Sequence, residues 1–164
     1  MSLIGDIYRI IHDIILRKPT NFSWVIGGEV AASARPSHKN SIRWLRMEGV
    51  QAILTLTEDP VQRYWLEDEK MISRHIPITD HSLPTNEQIA LALEFIDSNL
   101  AEGRGVLIHC AAGVGRTGVV LAAHLMKRFK TTPEEAIRML RVTRPHSIET
   151  QQEEAITIYS KYRR

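Results

Sequence analysis

Short apolar runs alternate with segments of helical periodicity along most of this chain. The runs at 50–56 and 106–108 are apolar enough to be strands covered on both faces of a sheet. A short strand is also indicated at 25–26 before a Gly-Gly turn, and an edge strand at 75–78, which contains a proline. Helical patterns occupy 2–16, 41–48, 85–100, 118–129, 132–140 and 149–162. This alternation predicts an α/β fold with a central, mostly parallel sheet flanked by helices.

The size and charge of the chain exclude several broad classes. Its 164 residues suit one domain, and 21 Lys and Arg against 19 Asp and Glu leave a net charge of only +2. Such a balance gives no general affinity for nucleic acids or anionic membranes. No apolar run has the length of a membrane span, and the single cysteine, Cys110, cannot form an internal disulfide. We therefore expect a cytoplasmic protein.

The N-terminal segment carries its own amphipathic pattern. Isoleucines recur there at steps of three and four residues, and the pattern ends at Lys18-Pro19-Thr20. We expect residues 1–20 to form an amphipathic helix that packs on the domain formed by 21–164. A contact between two copies and a helix lying on a membrane surface are the alternatives. The polar face of this helix is poor in lysine and arginine, which disfavours the membrane.

The only cysteine lies directly after a buried strand, at the carboxyl end where α/β sheets bind ligands. Five small or apolar residues separate it from Arg116 and allow a tightly curled loop whose amides point inward: Ala111, Ala112, Gly113, Val114 and Gly115. Such a loop binds an anion, helped by the following helix N-terminus and by the Arg116 guanidinium. The positive electrostatic potential of the helix N-terminus and of Arg116 also favours the thiolate form of Cys110, and a thiolate is a nucleophile. In the alternative reading, Cys110 is a small buried apolar residue and Arg116 a surface cation.

The segment from His109 to Gly118 resembles the signature H-C-x-x-G-x-x-R-[ST]-G of the cysteine-based protein tyrosine phosphatase superfamily. Further similarity lies at 21–25, 54–58, 76–80 and 144–150. Together these segments resemble the small atypical dual-specificity phosphatases, especially the VH1-like member Z type and its archaeal relatives. The resemblance implies a protein tyrosine phosphatase-like fold in which residues 21–164 are the catalytic domain. The resemblance does not include the first helix.

The resemblance also implies roles for individual residues. Cys110 would attack phosphorus, Arg116 and the loop amides would hold the phosphoryl oxygens, and the Thr117 hydroxyl would donate to the departing sulfur. Asp80 lies where the family has its general acid, although an aspartate that merely forms a turn is the alternative. Asp59 is a competitor that resembles no acid of the family.

Three further residues have less defined roles. His109 either orients the loop or packs in the core at the end of a strand. Glu149 stands where many tyrosine phosphatases carry a glutamine that positions water. Trp24, like Phe22 beside it, either lines the mouth of the site and stacks on an aryl phosphate or belongs to the core.

The implied reaction is hydrolysis of phosphotyrosine, phosphoserine and phosphothreonine monoesters through a cysteinyl-phosphate intermediate, without a metal or other cofactor. We expect a phosphoprotein or phosphopeptide substrate, no nucleic acid or membrane partner, and a monomer or weak dimer. A phosphatase of RNA 5′-phosphates or inositol phosphates and a module that only binds phosphoproteins are the alternatives. The loop has no lysine, which disfavours inositol phosphates.

Overall fold

A computed structural model describes residues 3–162, which form five strands and seven helices. The elements are α1 (Leu3–Leu16), β1 (Ser23–Ile26), β2 (Val30–Ser33), α2 (Lys39–Met47), β3 (Val50–Thr55), α3 (Arg63–Asp68), β4 (Ile72–His75), α4 (Asn86–Ala101), β5 (Gly105–His109), α5 (Gly115–Phe129), α6 (Pro133–Thr143) and α7 (Thr150–Tyr162).

The strands form one sheet in the order β1-β2-β5-β3-β4. All neighbours are parallel except β1, which runs antiparallel to β2. The predicted α/β fold with a mostly parallel sheet is confirmed. The pairing places Ser33 and Thr55 on either side of His109, so three parallel strands end at the same level. The segment that follows His109 leaves the sheet at this edge.

Alternate residues of the strands face two separate cores. On one face of β5, Val106 and Ile108 pack in a cluster with α4, α5, α6 and α7. On the other face, Leu107 packs with residues of α2 and α3, including Leu45 and Leu66. Because the central strands are covered on both sides, their sequences are continuously apolar, as expected of parallel strands.

Local signals at the helix starts agree with the structure. The Thr85 hydroxyl accepts from the amide of Gln88, whose side chain accepts in turn from the Thr85 amide, so the predicted capping box is confirmed. Thr132 caps α6 from its side chain, with Pro133 in the first turn. Each motif satisfies backbone donors that an uncapped helix would leave open.

The prediction of the strands and short helices was less accurate. The strand predicted at 75–78 lies at 72–75, and all its residues are exposed at the edge of the sheet. β2 was missed because its sequence Val-Ala-Ala-Ser has one β-branched residue and no aromatic residue, too few to mark a strand. α3 was missed because six residues are too few to show a helical period.

The helix α1 contacts the domain through its polar face and not through its apolar stripe. Its attachment to the domain is polar: the buried Asp13 carboxylate accepts from the amide and hydroxyl of Ser37 and from the hydroxyl of Ser41. The apolar stripe faces away from the domain, and its isoleucines are exposed. A bonded carboxylate at the start of α2 fixes this orientation, since an unpaired buried charge is costly. Ser2, where the pattern predicts the helix to begin, lies outside the described residues.

No helix between Leu3 and Tyr162 has the length and apolarity to cross a bilayer.

Candidate active site

The loop between Cys110 and Arg116 is held from outside by its carbonyl oxygens. Four successive carbonyls each accept a hydrogen bond from a different donor: Cys110 from His109 Nδ1 (3.3 Å), Ala111 from the Arg35 amide (3.2 Å), Ala112 from Asn21 Nδ2 (3.0 Å) and Gly113 from Arg144 Nη2 (2.8 Å). The donors come from the end of β5, the segment after β2, the segment before β1 and the end of α6. The loop is therefore fixed by three distant parts of the chain.

The amides of the same loop are left without partners. No amide from Ala111 to Val114 donates to another of the residues that the structure describes. Gly113 has φ +72°, the left-handed conformation that turns successive amides toward one point. Since the carbonyls point away, the amides surround a space suited to an anion. The backbone of the loop thus has the arrangement that an anion-binding loop requires.

Arg116 lies in the first turn of α5 and is almost fully buried. Its Nη1 donates to the Ile78 carbonyl (2.7 Å) and to the Glu58 carboxylate (3.1 Å). Its Nη2 donates to Asp80 Oδ1 (2.8 Å). The structure therefore brings the predicted acid, Asp80, against the predicted phosphate-binding cation. Charge-assisted bonds of this kind orient both partners.

Glu58 is a site residue that sequence reasoning missed. Besides its bond to Arg116, its carboxylate accepts from the backbone amide of Asp80 (2.6 Å). The pKa of Glu58 is lowered, first because its own backbone amide donates to the carboxylate, and further because Asp80 and Arg116 donate to it. Its neighbour Asp59, the weighed competitor for the acid, forms no ion pair with Arg116. Glu58 thus connects the loop that carries Asp80 to Arg116.

His109 is buried and neutral in the site. Burial lowers its pKa to about 3, against an ordinary value of 6.5. A carbonyl can only accept, so the proton lies on Nδ1, which bonds Cys110 O, while Nε2 accepts from the Thr55 hydroxyl (2.9 Å). The ring therefore packs in the core and also holds the loop, which joins the two roles considered from the sequence.

The depressed pKa of His109 predicts a pH-dependent stability. Below pH 6.5 the unfolded chain binds a proton that the folded chain does not, until the pH approaches 3. At pH 5 this lowers the free energy of unfolding by about 2 kcal/mol relative to neutral pH. His109→Asn, which cannot titrate, should lose about that much less, as measured by urea unfolding at both pH values. His124, whose burial also lowers its pKa, titrates in both proteins and cancels. Equal losses in the two proteins would contradict the prediction.

Thr117 lies in the first turn of α5 and is buried, as is Cys110 at the beginning of the loop. The Thr117 hydroxyl has no hydrogen-bond partner among residues 3–162, so the bond to sulfur that the resemblance implies is not formed in this structure. A buried hydroxyl without a partner is costly and is retained where a ligand or reaction intermediate satisfies it. Thr117 therefore has a free donor at the base of the loop.

A cavity of about 170 Å³ opens over the loop. It is lined by the residues from Cys110 to Arg116 except Gly113, and by Asp80, His81, Ser82, Glu149 and Gln152. Gln152 was not considered from the sequence. Its Oε1 accepts from the Glu149 amide (3.0 Å), and its side chain fills the space that a Cβ on Gly115 would occupy. Glu149 and Gln152 thus line the same cavity as Asp80.

Trp24 does not lie at this cavity. Its ring approaches Gly105, at the start of β5, and packs edge-to-face on Phe22 with 6.0 Å between ring centroids. Both aromatics belong to the core cluster beneath α2. Gly105 and Cys110 are at opposite ends of β5, so the expectation that Trp24 contacts the substrate is corrected to a packing role.

Arg144 is a second site residue that the sequence did not reveal. Its guanidinium is 5% exposed and donates to five acceptors: Gly113 O, Asn21 O, Ala32 O, Ser23 Oγ and Ser147 Oγ. Burial lowers its pKa to about 10, and the charge of Cys110 acts in the opposite direction. Even so, the guanidinium remains charged at neutral pH. It places a buried positive charge behind the loop.

Comparison with known proteins gives one family. Residues 19–157 match the model of the Swiss Army Knife protein, DSP-PTPase phosphatase domain. Dual specificity protein phosphatase 12 of Mus musculus is 33% identical over 123 residues, which are 73% of this chain and 34% of that protein. Dual specificity protein phosphatase CDC14A of Homo sapiens is 26% identical over 141 residues, 78% of this chain and 23% of that protein. The chain thus spans about a third or less of these two curated relatives.

A solved structure extends the similarity to the fold. The crystal structure of Tk-PTP in the active form is 30% identical, with a TM-score of 0.78, and the match covers 85% of this chain and 96% of that one. The matched family segment includes Asn21 and Arg144, the two distant anchors of the loop, as well as the cysteine signature itself. The resemblance seen in the sequence is confirmed, and this chain belongs to the DSP-PTPase phosphatase domain family.

Proposed function

We propose that this chain hydrolyses phosphotyrosine, phosphoserine and phosphothreonine monoesters of proteins through a cysteinyl-phosphate intermediate. The observation that carries the proposal is the loop whose carbonyls are all held outward, so that its amides converge beside Cys110. Preorganised donors of this kind stabilise charge that develops in a transition state without reorganising during the reaction. Membership of the phosphatase domain family supports the same chemistry.

In the first step, the Cys110 thiolate attacks phosphorus in line, and a sulfur–phosphorus bond forms as the ester bond breaks. The equatorial oxygens lie against the loop amides and the Arg116 guanidinium. Arg116 already contacts Asp80, so a phosphoryl group bound by Arg116 lies within reach of that carboxyl group. Asp80 gives its proton to the departing oxygen, and the alcohol or phenol leaves neutral.

In the second step, water attacks the phosphorus of the cysteinyl phosphate. Asp80, now ionised, accepts a proton from the water, and the sulfur leaves as thiolate, stabilised by the free hydroxyl of Thr117. Glu149 and Gln152 line the cavity and offer polar groups that can hold this water. The products are inorganic phosphate and the original enzyme, so no further reactant is needed.

The size of the cavity supports the acceptance of both types of ester. The cavity over the loop, of about 170 Å³, is below the roughly 300–1,000 Å³ of pockets that enclose drug-sized ligands, and it shares Asp80, Ala111 and Arg116 with a wider cavity of about 670 Å³. It holds a phosphoryl group and leaves most of the phosphorylated side chain outside. Selection for the length of a tyrosine ring requires a deeper pocket. We therefore place phosphoserine and phosphothreonine beside phosphotyrosine among the substrates.

The proposal is tested with phosphotyrosine and phosphothreonine peptides of otherwise identical sequence. We expect the purified protein to release phosphate from both, and Cys110→Ser to release none above background. Rapid acid quenching followed by mass spectrometry should find one phosphoryl group on the peptide that contains Cys110. The ratio of the two kcat/KM values then measures the preference as a difference in transition-state binding.

Two results would contradict the proposal. If neither peptide is turned over while RNA 5′-phosphates or inositol phosphates are, the substrate is not a protein. If Cys110→Ser keeps the wild-type rate, or a rapidly quenched sample carries no phosphoryl group, the cysteinyl-phosphate route fails.

A further inference from the structure

The helix α1 is attached to the domain by its polar face and exposes its apolar face. Asp13 is buried and Asp6, Arg9 and His12 are half-buried on the side toward the domain. The apolar side chains are between 45% and 79% exposed: Leu3, Ile4, Ile7, Tyr8, Ile10, Ile11, Ile14, Ile15 and Leu16. A continuous apolar surface of this kind on a folded protein marks an interaction site.

Positive charge surrounds the C-terminal end of this face. Arg17 and Lys18 follow α1 directly, and α2, to which Asp13 ties the helix, carries Lys39, Arg43 and Arg46. None of these five cations is paired with a carboxylate among residues 3–162. Glu48 is the one acidic residue on α2 and its cap. Lys18 Nζ lies over the rings of Phe22 and Trp44, so the other four cations are those left for anionic groups beside the apolar face.

We propose that α1 and the basic residues of α2 form a binding surface for anionic lipid bilayers. An amphipathic helix lies in the plane of a membrane when its apolar face enters the acyl boundary and nearby cations meet anionic headgroups. The sequence disfavoured a membrane because the polar face of α1 itself is poor in lysine and arginine. The fold supplies those cations from α2 instead. Because the apolar face is next to positive charge rather than another apolar surface, the observations favour lipid over a second copy of the chain.

The same helix adjoins the catalytic loop. Asp6, Arg9 and Ile10 line a cavity of about 670 Å³ that Ala111, Arg116 and Asp80 also line. A bilayer that binds α1 therefore lies beside the opening of the active site. The family match begins at residue 19, so α1 lies outside the matched segment, while the basic residues of α2 lie within it. The proposal concerns binding alone and holds or fails independently of the reaction.

The test is co-sedimentation of the full chain with vesicles of phosphatidylcholine alone and of phosphatidylcholine mixed with phosphatidylglycerol. We expect the protein to partition onto the mixed vesicles at least tenfold more strongly, and high salt to weaken this binding. The double variant Ile11→Glu/Ile15→Glu should lower partitioning at least tenfold, and so should Lys39→Glu/Arg43→Glu. Val142→Glu is the matched control, because Val142 is 79% exposed on α6, away from α1, and its partitioning should equal that of the wild type.

Several outcomes would overturn the proposal. One is absence of binding to the mixed vesicles, and another is an equal loss of binding in Val142→Glu. Light scattering without vesicles provides the third: a stable dimer that Ile11→Glu/Ile15→Glu dissociates would show that a second copy covers the face. Melting temperatures of all variants close to that of the wild type would show that lost binding is not lost folding.

Discussion

Gly113→Ala is expected to displace the catalytic loop and to lower kcat/KM by at least about 100-fold, whereas Gly103→Ala leaves turnover unchanged. Both glycines have φ +72°, so alanine costs about 1–2 kcal/mol at either position for the left-handed backbone alone. They differ in their surroundings. A Cβ on Gly113 would lie 2.3 Å from the Ser33 carbonyl oxygen and 2.8 Å from the Ala34 amide nitrogen, while nothing lies within 4 Å at Gly103.

The clash at Gly113 is with backbone that has no room to move. Ser33 ends β2, which is buried and paired on both sides, so the loop must shift instead. The shift breaks the bond from Arg144 to the Gly113 carbonyl and opens the ring of amides. We expect a further loss of about 1–3 kcal/mol in the free energy of unfolding beyond that of Gly103→Ala. Urea unfolding and phosphopeptide turnover measure the two effects. Equal losses in both variants would show that the contact with Ser33 does not position the loop.

The second large effect is expected for Arg116→Lys, which should lower kcat/KM by about 10³-fold. The guanidinium reaches Ile78 and Glu58 through Nη1 and Asp80 through Nη2, and a phosphoryl group would use the same planar donors. Lysine keeps the charge but offers a single nitrogen, which cannot grip two oxygens while contacting Asp80.

Arg63→Lys is the matched control for this substitution. Arg63 pairs with Glu67 on the exposed surface of α3, so the same chemical change there should leave kcat/KM unaltered. Steady-state kinetics on the phosphotyrosine peptide measure both variants. If Arg116→Lys stays within tenfold of the wild type, the phosphoryl group is held by the loop amides alone, and the role proposed for Arg116 is wrong.

The catalytic loop could be predicted because its chemistry is contiguous in the sequence. Cys110 and Arg116 are six residues apart. The sequence pattern also predicts the strand, the run of small residues and the helix that surround them. The supporting contacts are not local. Asn21 and Arg144 reach the loop from 91 and 31 residues away, and Glu58 reaches Arg116 across 58. Spacing within a motif carries no information on such partners.

The orientation of α1 and the position of Trp24 could not be predicted for a related reason. Periodicity shows which side chains share a face of a helix, but not whether that face turns toward the domain. For α1 the orientation is set by the Asp13 carboxylate, which accepts hydrogen bonds from the hydroxyls of Ser37 and Ser41. A tryptophan is equally compatible with the wall of a binding site and with a position in the core. The register of β1 places Trp24 at the end of the sheet that is far from Cys110.

The way in which the loop is anchored limits how the site can be divided or transplanted. Its carbonyls depend on Asn21 near one end of the domain, on Arg35 after β2, and on Arg144 near the other end. A fragment that retained β5, the loop and α5 would keep every residue of the signature and lose three of its four supports. The ten-residue motif is therefore not a portable catalytic unit, and the loop reaches its working shape only when the whole domain has closed around it.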